Sequence, residues 1–150
     1  MRILISNDDG IDSPGLLALA RRFRSLGEVI VIAPAEPQSG AGHSLSINKT
    51  VKVRRFLYDG DLTGFAVYGT PRDCTEIGVN ALTGGPVDLI VSGINQGCNT
   101  SNNIASSGTC GAACTGVDFH IPAIATSLDF GSEYDYTVAA DITCKLAEWF

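Results

Sequence analysis

The most constraining feature of the sequence is a short apolar run that leads into two adjacent carboxylates. Ile3–Ile5 forms the run, and Asp8 and Asp9 follow it after Ser6 and Asn7. A run of this kind is typical of a strand buried on both faces of a parallel sheet. Open α/β sheets bind ligands in the crevice beyond the carboxyl ends of their strands. Because two like charges side by side need a compensating cation, we interpret Asp8 and Asp9 as oxygen ligands of a divalent metal.

The segment that follows predicts the fold class. Residues 14–26 carry apolar side chains at helical spacing, with Gly27 as a candidate C-cap. Val29–Ala33 then predicts a second buried strand, which Pro34 ends. The order strand, helix, strand implies parallel strands joined by a right-handed crossover. We therefore predict an α/β fold with a doubly wound, mostly parallel, Rossmann-like sheet, in a single domain that spans residues 1–150.

The rest of the chain continues this pattern with one irregular part. Between Leu45 and Tyr68 the sequence is strand-like but uneven, so we predict a small irregular or antiparallel β excursion there. The remaining predicted elements are a helix with Thr70 as N-cap that runs to Leu82, a strand Val87–Ser92, a loop Gly93–Asn99, a helix that begins after Ser107, a strand Ile121–Ser127 and a helix Thr137–Phe150.

Composition limits the classes of function. The chain of 150 residues has a formal net charge of -6 and a pI near 4.7, which argues against a DNA partner because nucleic-acid affinity rests on clustered Lys and Arg. No apolar run approaches the roughly 18 residues of a membrane span, so we expect no membrane partner. The first residues show no signal-peptide pattern, and the odd count of five cysteines favours reduced thiols. These features predict a cytoplasmic protein.

Three predicted loops leave the same edge of the sheet and carry oxygen ligands. They offer the carboxylates of Asp8 and Asp9, the hydroxyl of Ser39 and the amide oxygen of Asn95. An all-oxygen set suits Mg²⁺, Mn²⁺ or Ca²⁺ rather than zinc. Each loop also has a purely structural interpretation. The two aspartates suit an Asx-turn or a helix cap, and Ser39 and Asn95 suit ordinary loop hydrogen bonds.

A second group of residues suits a phosphate. Ser107, Gly108 and Thr109 stand at a predicted helix start, where free N–H groups, two hydroxyls and a glycine allow close approach of an anion. Simple N-capping by the same residues is the alternative. His43 lies in the polar loop after the second strand. It is a candidate general acid for a leaving alkoxide, or else a residue that hydrogen-bonds within its loop.

The order of these motifs resembles the SurE (survival protein E) family of nucleotidases. The resemblance extends from Met1 to about Leu128. Its motifs are Asn7-Asp8-Asp9-Gly10 with Pro14-Gly15, Ala33-Pro34 with Gln38-Ser39-Gly40, Gly42-His43-Ser44, Gly69-Thr70-Pro71 with Asp73-Cys74, Ser92-Gly93-Ile94-Asn95 with Gly97 and Asn99, and Ser107-Gly108-Thr109 with Gly111-Ala112-Ala113.

The resemblance implies a phosphomonoesterase that hydrolyses nucleoside 5'- and 3'-monophosphates with one divalent metal ion, Mg²⁺ or Mn²⁺, or Ca²⁺ in crystals. Members of the family are longer and have a C-terminal part with oligomer contacts, so a homodimer or homotetramer is implied where that part is present. The implied metal ligands are Asp8, Asp9, Ser39 and Asn95, and the implied phosphate-side positions are Gly40, Asn99, Ser107, Gly108 and Thr109.

We expect a hydrolase in which the ion acts as a Lewis acid, Asp8 or Asp9 accepts the proton of the attacking water, and His43 assists the leaving group. An aspartyl-phosphate intermediate is less favoured because the carboxylates are needed as ligands. One alternative is a metal- and nucleotide-binding domain that is inactive without the C-terminal part. A receiver-type signalling module is a weaker alternative, because it needs an aspartate at a strand end where this chain has Ala33, Ser92 or Ser127.

Overall fold

The computed structural model describes residues 1–58, 62–129 and 135–150. The strands in these ranges are β1 (Arg2–Ser6), β2 (Glu28–Pro34), β3 (Val53–Leu57), β4 (Thr63–Val67), β5 (Leu89–Gln96) and β6 (Ala123–Leu128). The helices in the same ranges are α1 (Pro14–Phe23), α2 (Pro71–Ile77), α3 (Asn103–Ser106), α4 (Gly108–Phe119) and α5 (Tyr136–Ala147), and a π-helical segment, Gly78–Leu82, continues α2.

Within the described residues the strands form one sheet in the order β3-β4-β2-β1-β5-β6. The pairings are parallel throughout, except that β3 runs antiparallel to β4. Helices α1 and α5 pack on one face and α2 packs on the other, so the predicted doubly wound, mostly parallel α/β fold is confirmed. Since β1 pairs with β2 on one side and with β5 on the other, the topological switch point lies between the carboxyl ends of β1 and β5.

The central strand explains why its sequence is apolar throughout. Side chains alternate between the two faces of a strand. Ile3 and Ile5 pack in the core under α1, which includes Phe23, while Leu4 packs in the opposite core with Cys74 of α2. The three β1 side chains are completely buried. A strand covered on both faces cannot alternate apolar and polar residues, so the run Ile3–Ile5 follows from its central position.

The predicted end of the first helix is wrong. Helix α1 ends at Phe23 and is capped by Arg24 in a right-handed conformation, so Gly27 is not its C-cap. Gly27 instead lies against the main chain of Met1, and a side chain at residue 27 would overlap that backbone. The N–H of Glu28 donates to the Met1 carbonyl oxygen at 2.9 Å. The glycine therefore allows β2 to pair closely with the start of β1 rather than ending a helix.

The predicted loop Gly93–Asn99 is also partly wrong, because residues 93–96 belong to β5. Asn95 pairs with Ser127 and Gln96 with Leu128 of β6, after a register shift that follows Ser92. Gly93, at φ +137°, is a local loop signal, but pairing with β6 continues the strand past it. Because β5 is extended in this way, Asn95 is part of the strand and lies at the switch point.

The predicted β excursion is confirmed as the antiparallel pair β3 and β4, although residues 45–52 form turns and coil rather than strand. The five cysteines have free thiols, as we expected from their odd count in a chain without a signal-peptide pattern. No helix in the described ranges combines the length and the apolar character needed to cross a membrane.

One buried polar contact joins the two helices on the α2 face. The Oγ1 atoms of Thr75 in α2 and Thr115 in α4 lie 2.6 Å apart, and both residues are completely buried. The hydroxyl of Thr75 also lies 3.1 Å from the carbonyl oxygen of Arg72. One hydroxyl can therefore donate along its own helix while it accepts from the other. This contact joins α2, beyond its first turn, to the C-terminal half of α4.

We predict that Thr75→Val and Thr115→Val each lower the free energy of unfolding by about 1 kcal/mol, because each removes the hydrogen bond between the two buried hydroxyls. The double variant loses less than the sum, since no unpaired hydroxyl remains at the contact. Urea unfolding of the three variants measures the coupling. Strictly additive losses would show that the two hydroxyls do not interact.

Candidate active site

The centre of the candidate site is one buried hydroxyl between two side-chain oxygens. Thr109, the second residue of α4, is completely buried. Its Oγ1 lies 2.5 Å from Oδ1 of Asp8 and 3.2 Å from Oδ1 of Asn95. A hydroxyl has one proton and can donate fully to only one of these acceptors. A carboxylate oxygen from the end of β1 and an amide oxygen from β5 therefore meet at the switch point, with fewer donors than acceptors.

The orientation of the Asn95 amide is fixed from its other side. Its Nδ2 donates to the carbonyl oxygen of Gly97 at 2.7 Å, so its Oδ1 faces Thr109 and Asp8. Carboxylate and amide oxygens are the ligands that Mg²⁺, Mn²⁺ and Ca²⁺ prefer in proteins. The donor set and the spare acceptor capacity thus fit a hard divalent cation.

Asp9 adds a second carboxylate in a different environment. It is half-buried, and its Oδ2 lies 3.4 Å from the N–H of Gln96. Burial raises the pKa of Asp9 above its ordinary value, and the negative charge of Asp8 raises it further. The described residues contain no group of three or more His, Cys, Asp or Glu side chains that could hold a metal. Any ion at this site would therefore depend on these two carboxylates together with neutral oxygens.

Asn7 builds the loop that presents the two aspartates. It is completely buried, and its Nδ2 donates to the carbonyl oxygen of Gly10 at 3.0 Å and to Oγ of Ser13 at 2.8 Å. The N–H of Gly10 donates back to Oδ1 of Asn7 at 3.2 Å. Ser13 in turn caps α1 by accepting from the N–H of Leu16. Sequence reasoning gave Asn7 no role of its own, although an Asn just before Asp-Asp-Gly and a Ser N-cap is a recognisable loop signal.

The loop after β2 is attached directly to the aspartate loop. The N–H of Gln38 donates to the main-chain carbonyl oxygen of Asp8 at 2.8 Å, and the N–H of Ile11 donates to that of Pro34 at 2.8 Å. Ser39, which follows this anchor, is exposed. Gly40 has φ +75° and open space where a side chain would stand. The structure therefore places Ser39 and Gly40 one and two residues from a bond to Asp8, as the topology predicted.

The start of α4 combines the two interpretations of Ser107, Gly108 and Thr109. Ser107 is the N-cap, and its Oγ accepts from the N–H of Cys110 at 3.1 Å. A Cβ on Gly108 would lie 2.7 Å from Cβ of Asp8 and 2.9 Å from Cγ of Pro71, so only glycine lets the helix approach the aspartate. The N–H groups of Gly108 and Thr109 lie in the first turn, where a helix provides no internal acceptor. Capping and anion binding therefore do not exclude each other here.

Two predicted residues lie at the margins of this group. His43 is exposed. Its loop is held by a hydrogen bond of 3.0 Å from the N–H of Gly42 to the carbonyl oxygen of Ser106, the last residue of α3, and Gly42 also lies against Gly111 of α4. Asn99 donates from its Nδ2 to Oγ of Ser127, near the end of β6, at 2.9 Å. The structure thus brings Asp8 and Asn95 into contact with the Thr109 hydroxyl, whereas these hydrogen bonds connect the loop of His43 to Ser106 and Asn99 to Ser127.

Comparisons with known proteins agree on one family. The family model described as Survival protein SurE matches residues 3–150. The 5'-nucleotidase SurE of Syntrophus aciditrophicus is 42% identical over 149 residues, which are 99% of this chain and 56% of that protein. The 5'/3'-nucleotidase SurE of Shigella dysenteriae serotype 1 is 43% identical over 146 residues, which are 97% of this chain and 56% of that protein.

The structural comparison gives the same result. The crystal structure of the SurE protein from Aquifex aeolicus matches with a TM-score of 0.88 and 36% sequence identity, over 99% of this chain and 59% of that one. The chain therefore spans little more than half the length of the relatives it matches.

We predict that Asp9→Asn raises the melting temperature of the metal-free protein at neutral pH. The folded-state pKa of Asp9 is raised, so its ionisation destabilises the fold as the pH rises through that pKa. Below the ordinary aspartate pKa the carboxyl is neutral in both states, and the advantage of Asn disappears. The gain is below about 1 kcal/mol, which is less than about 4 °C, because solvent screens the half-exposed side chain.

Thermal unfolding in EDTA between about pH 3 and about pH 7 measures this difference. Asp12→Asn is the matched control, because Asp12 is an exposed carboxylate in the same loop. A melting temperature for Asp9→Asn that is lower than that of the wild type at neutral pH would contradict the electrostatic account.

Proposed function

The chain belongs to the SurE family, and from this premise we propose that the protein is a divalent-metal-dependent phosphomonoesterase. Its proposed reaction is hydrolysis of nucleoside 5'- and 3'-monophosphates to nucleoside and phosphate, which the names of the relatives suggest. The observation that carries the proposal is the meeting of the Asp8 and Asn95 oxygens at the Thr109 hydroxyl. Cytoplasmic location and assembly into a homodimer or homotetramer stay predictions.

We propose that one Mg²⁺ or Mn²⁺ ion is held by Asp8, Asp9, Ser39 and Asn95. A bound ion of this kind supplies Lewis-acid stabilisation of phosphoryl oxygens and makes water more acidic. The support from this chain is the orientation of Asn95, the shortage of proton donors around Asp8 and the unfavourable pairing of the two carboxylates. Ser39 joins this set through the family resemblance and through the attachment of its loop to Asp8.

The two aspartates have different environments and so different proposed roles. Asp8 is buried, and its Oδ1 accepts a hydrogen bond from the Thr109 hydroxyl. This bond fixes the Asp8 side chain, which suits a residue that only coordinates the metal. Asp9 is more exposed, and its raised pKa makes its carboxylate a stronger base than that of an ordinary aspartate. We therefore assign Asp9 the proton of the attacking water.

The N-terminus of α4 is the proposed phosphate cradle. The helix has 12 residues, and the N–H groups of Gly108 and Thr109 lie at its positive end. Because Oγ of Ser107 accepts from Cys110, its own proton remains available for a phosphoryl oxygen. Gly40 adds an open backbone position, and Asn99 retains a second side-chain N–H beyond the one bonded to Ser127.

His43 is the proposed acid for the leaving group. Its loop is held against α4, on the same side of the sheet as the phosphate cradle. In the proposed reaction the water oxygen bonds to phosphorus as the bond from phosphorus to the ribose oxygen breaks. The proton of the water passes to Asp9, and the proton of His43 passes to the ribose oxygen, so the products are phosphate and a neutral nucleoside.

A binding domain without catalysis is the second candidate, and one observation favours it. The chain covers 56% of the relatives' length, so a group needed for the reaction can lie in the part that has no counterpart here. The receiver-type alternative has no such support, because β2 ends at Pro34 and β5 at Gln96 rather than at a phosphoacceptor aspartate.

We predict that the protein releases phosphate from nucleoside monophosphates with Mg²⁺ or Mn²⁺ and not with EDTA. Asp8→Asn lowers kcat/KM by about 100-fold or more, because it removes a charged ligand from the proposed site. Asp12→Asn is the matched control and retains wild-type activity, since Asp12 is exposed in the same loop. Release that continues in EDTA or in Asp8→Asn would contradict the mechanism. No release with either metal, while the folded protein still binds Mn²⁺, would favour the binding domain.

A further inference from the structure

We propose that a polar cavity beside the candidate site binds the nucleoside part of the substrate, with Tyr68 as its stacking surface. This inference rests on the proposed nucleotidase function. The cavity has a volume of about 290 Å³, and its lining includes Glu36, Gln38, Ser46, Tyr68 and Thr70. This is close to the lower limit of about 300 Å³ for typical small-molecule sites and suits a single base with its sugar.

The position of the cavity connects it to the catalytic group. It lies beyond the carboxyl ends of β2 and β4, on the β2 side of β1. Gln38 is one of the residues that line the cavity. Its main-chain N–H donates to the main-chain carbonyl oxygen of Asp8 at 2.8 Å. The next residue, Ser39, is a proposed metal ligand. A substrate with its phosphate at Asp8 therefore has this cavity as its neighbour.

The lining has an aromatic surface for the base and polar groups for the sugar and the edge of the base. Tyr68 is 43% exposed, so its ring offers an aromatic surface to a base. The ammonium of Lys52 lies 5.1 Å from the centroid of the ring, and the N–H of Tyr68 donates to the Lys52 carbonyl oxygen at 2.9 Å, which holds the residue against β3. Glu36 supplies a carboxylate and Gln38 an amide. These groups suit the hydroxyls of a ribose and the polar edge of a base.

The far wall of the cavity is rigid because Asp73 holds it. This carboxylate is 5% exposed. Its Oδ1 accepts from the N–H of Ser46 at 2.9 Å, and its Oδ2 accepts from Oγ of Ser46 at 2.7 Å and from the N–H of Thr70 at 2.8 Å. Thr70 also donates from Oγ1 to the carbonyl oxygen of Ser44 at 2.7 Å. A wall formed in advance lowers the ordering cost of binding.

A larger cavity, between α4 and β6, is a poorer match. It measures about 690 Å³, and apolar residues such as Ile104, Val117 and Ile121 line it. A nucleoside bound there would leave most of its polar edges without partners.

Stacking on a tyrosine is tolerant of base identity, so the Tyr68 cavity also predicts weak discrimination between purine and pyrimidine nucleotides.

The test compares two substrates that share the phosphate chemistry and differ in the nucleoside. The ratio of kcat/KM for adenosine monophosphate to kcat/KM for p-nitrophenyl phosphate is measured in wild type, Tyr68→Ala and Tyr68→Phe. We expect Tyr68→Ala to lower the ratio about tenfold, the loss of one stacking contact, and Tyr68→Phe to preserve it. Trp149→Ala is the matched control, because Trp149 is an exposed aromatic residue on the helix-α5 side and should leave the ratio unchanged.

A second measurement does not depend on turnover. Adenosine, which has no phosphate, should shift the amide NMR signals of Gln38, Tyr68 and Gly69 in the wild type, and Tyr68→Ala should weaken this binding about tenfold. An unchanged substrate ratio, or an equal loss for both substrates, would overturn the inference. If the wild type hydrolyses neither substrate, the proposed function fails by itself. The adenosine titration then decides, and absent or Tyr68-independent shifts would overturn the cavity assignment.

Discussion

One buried hydroxyl connects the three parts of the fold that make the candidate site. Oγ1 of Thr109 on α4 contacts Asp8 after β1 and Asn95 on β5, so it fixes side chains from both sides of the switch point. The helix reaches this position only because residue 108 is a glycine, since a Cβ there would overlap the Asp8 side chain. A sheet of this topology provides a crevice, and the Thr109 contacts fix the positions of the side-chain oxygens within it.

The fold class was predictable because it depends on local patterns. Strands covered on both faces need continuous apolar runs, and Ile3–Ile5 and Val29–Ala33 are such runs. The capping box of Thr70 and Asp73 likewise appears in the sequence at its required spacing. The extension of β5 through Gly93 was not predictable in this way. It depends on pairing with β6, a long-range contact, while the glycine by itself signals a loop.

The neighbourhood of the candidate site residues was predictable from topology, but their contacts were not. Topology alone places Asp8 and Asn95 near each other, because Asp8 follows β1 and Asn95 lies near the carboxyl end of β5, its parallel neighbour. The direction in which a residue of the first helical turn points depends on how the helix packs, and sequence does not give that. Thr109 was therefore predicted on the phosphate side, whereas its hydroxyl is buried against the two proposed ligands. Tyr68, in turn, has no motif around it, and its proposed role follows only from the cavity it lines.

The most direct test of this account is the affinity for Mn²⁺ of Thr109→Val and Thr109→Ser, measured by isothermal titration calorimetry. Valine keeps the shape of threonine without the hydroxyl, and serine keeps the hydroxyl. If Thr109 positions the ligand oxygens, Thr109→Val binds Mn²⁺ about 10–100-fold more weakly than the wild type, and Thr109→Ser remains close to it. Equal affinity in wild type and a folded Thr109→Val would contradict the central claim, because the oxygens would then form a site without this hydroxyl.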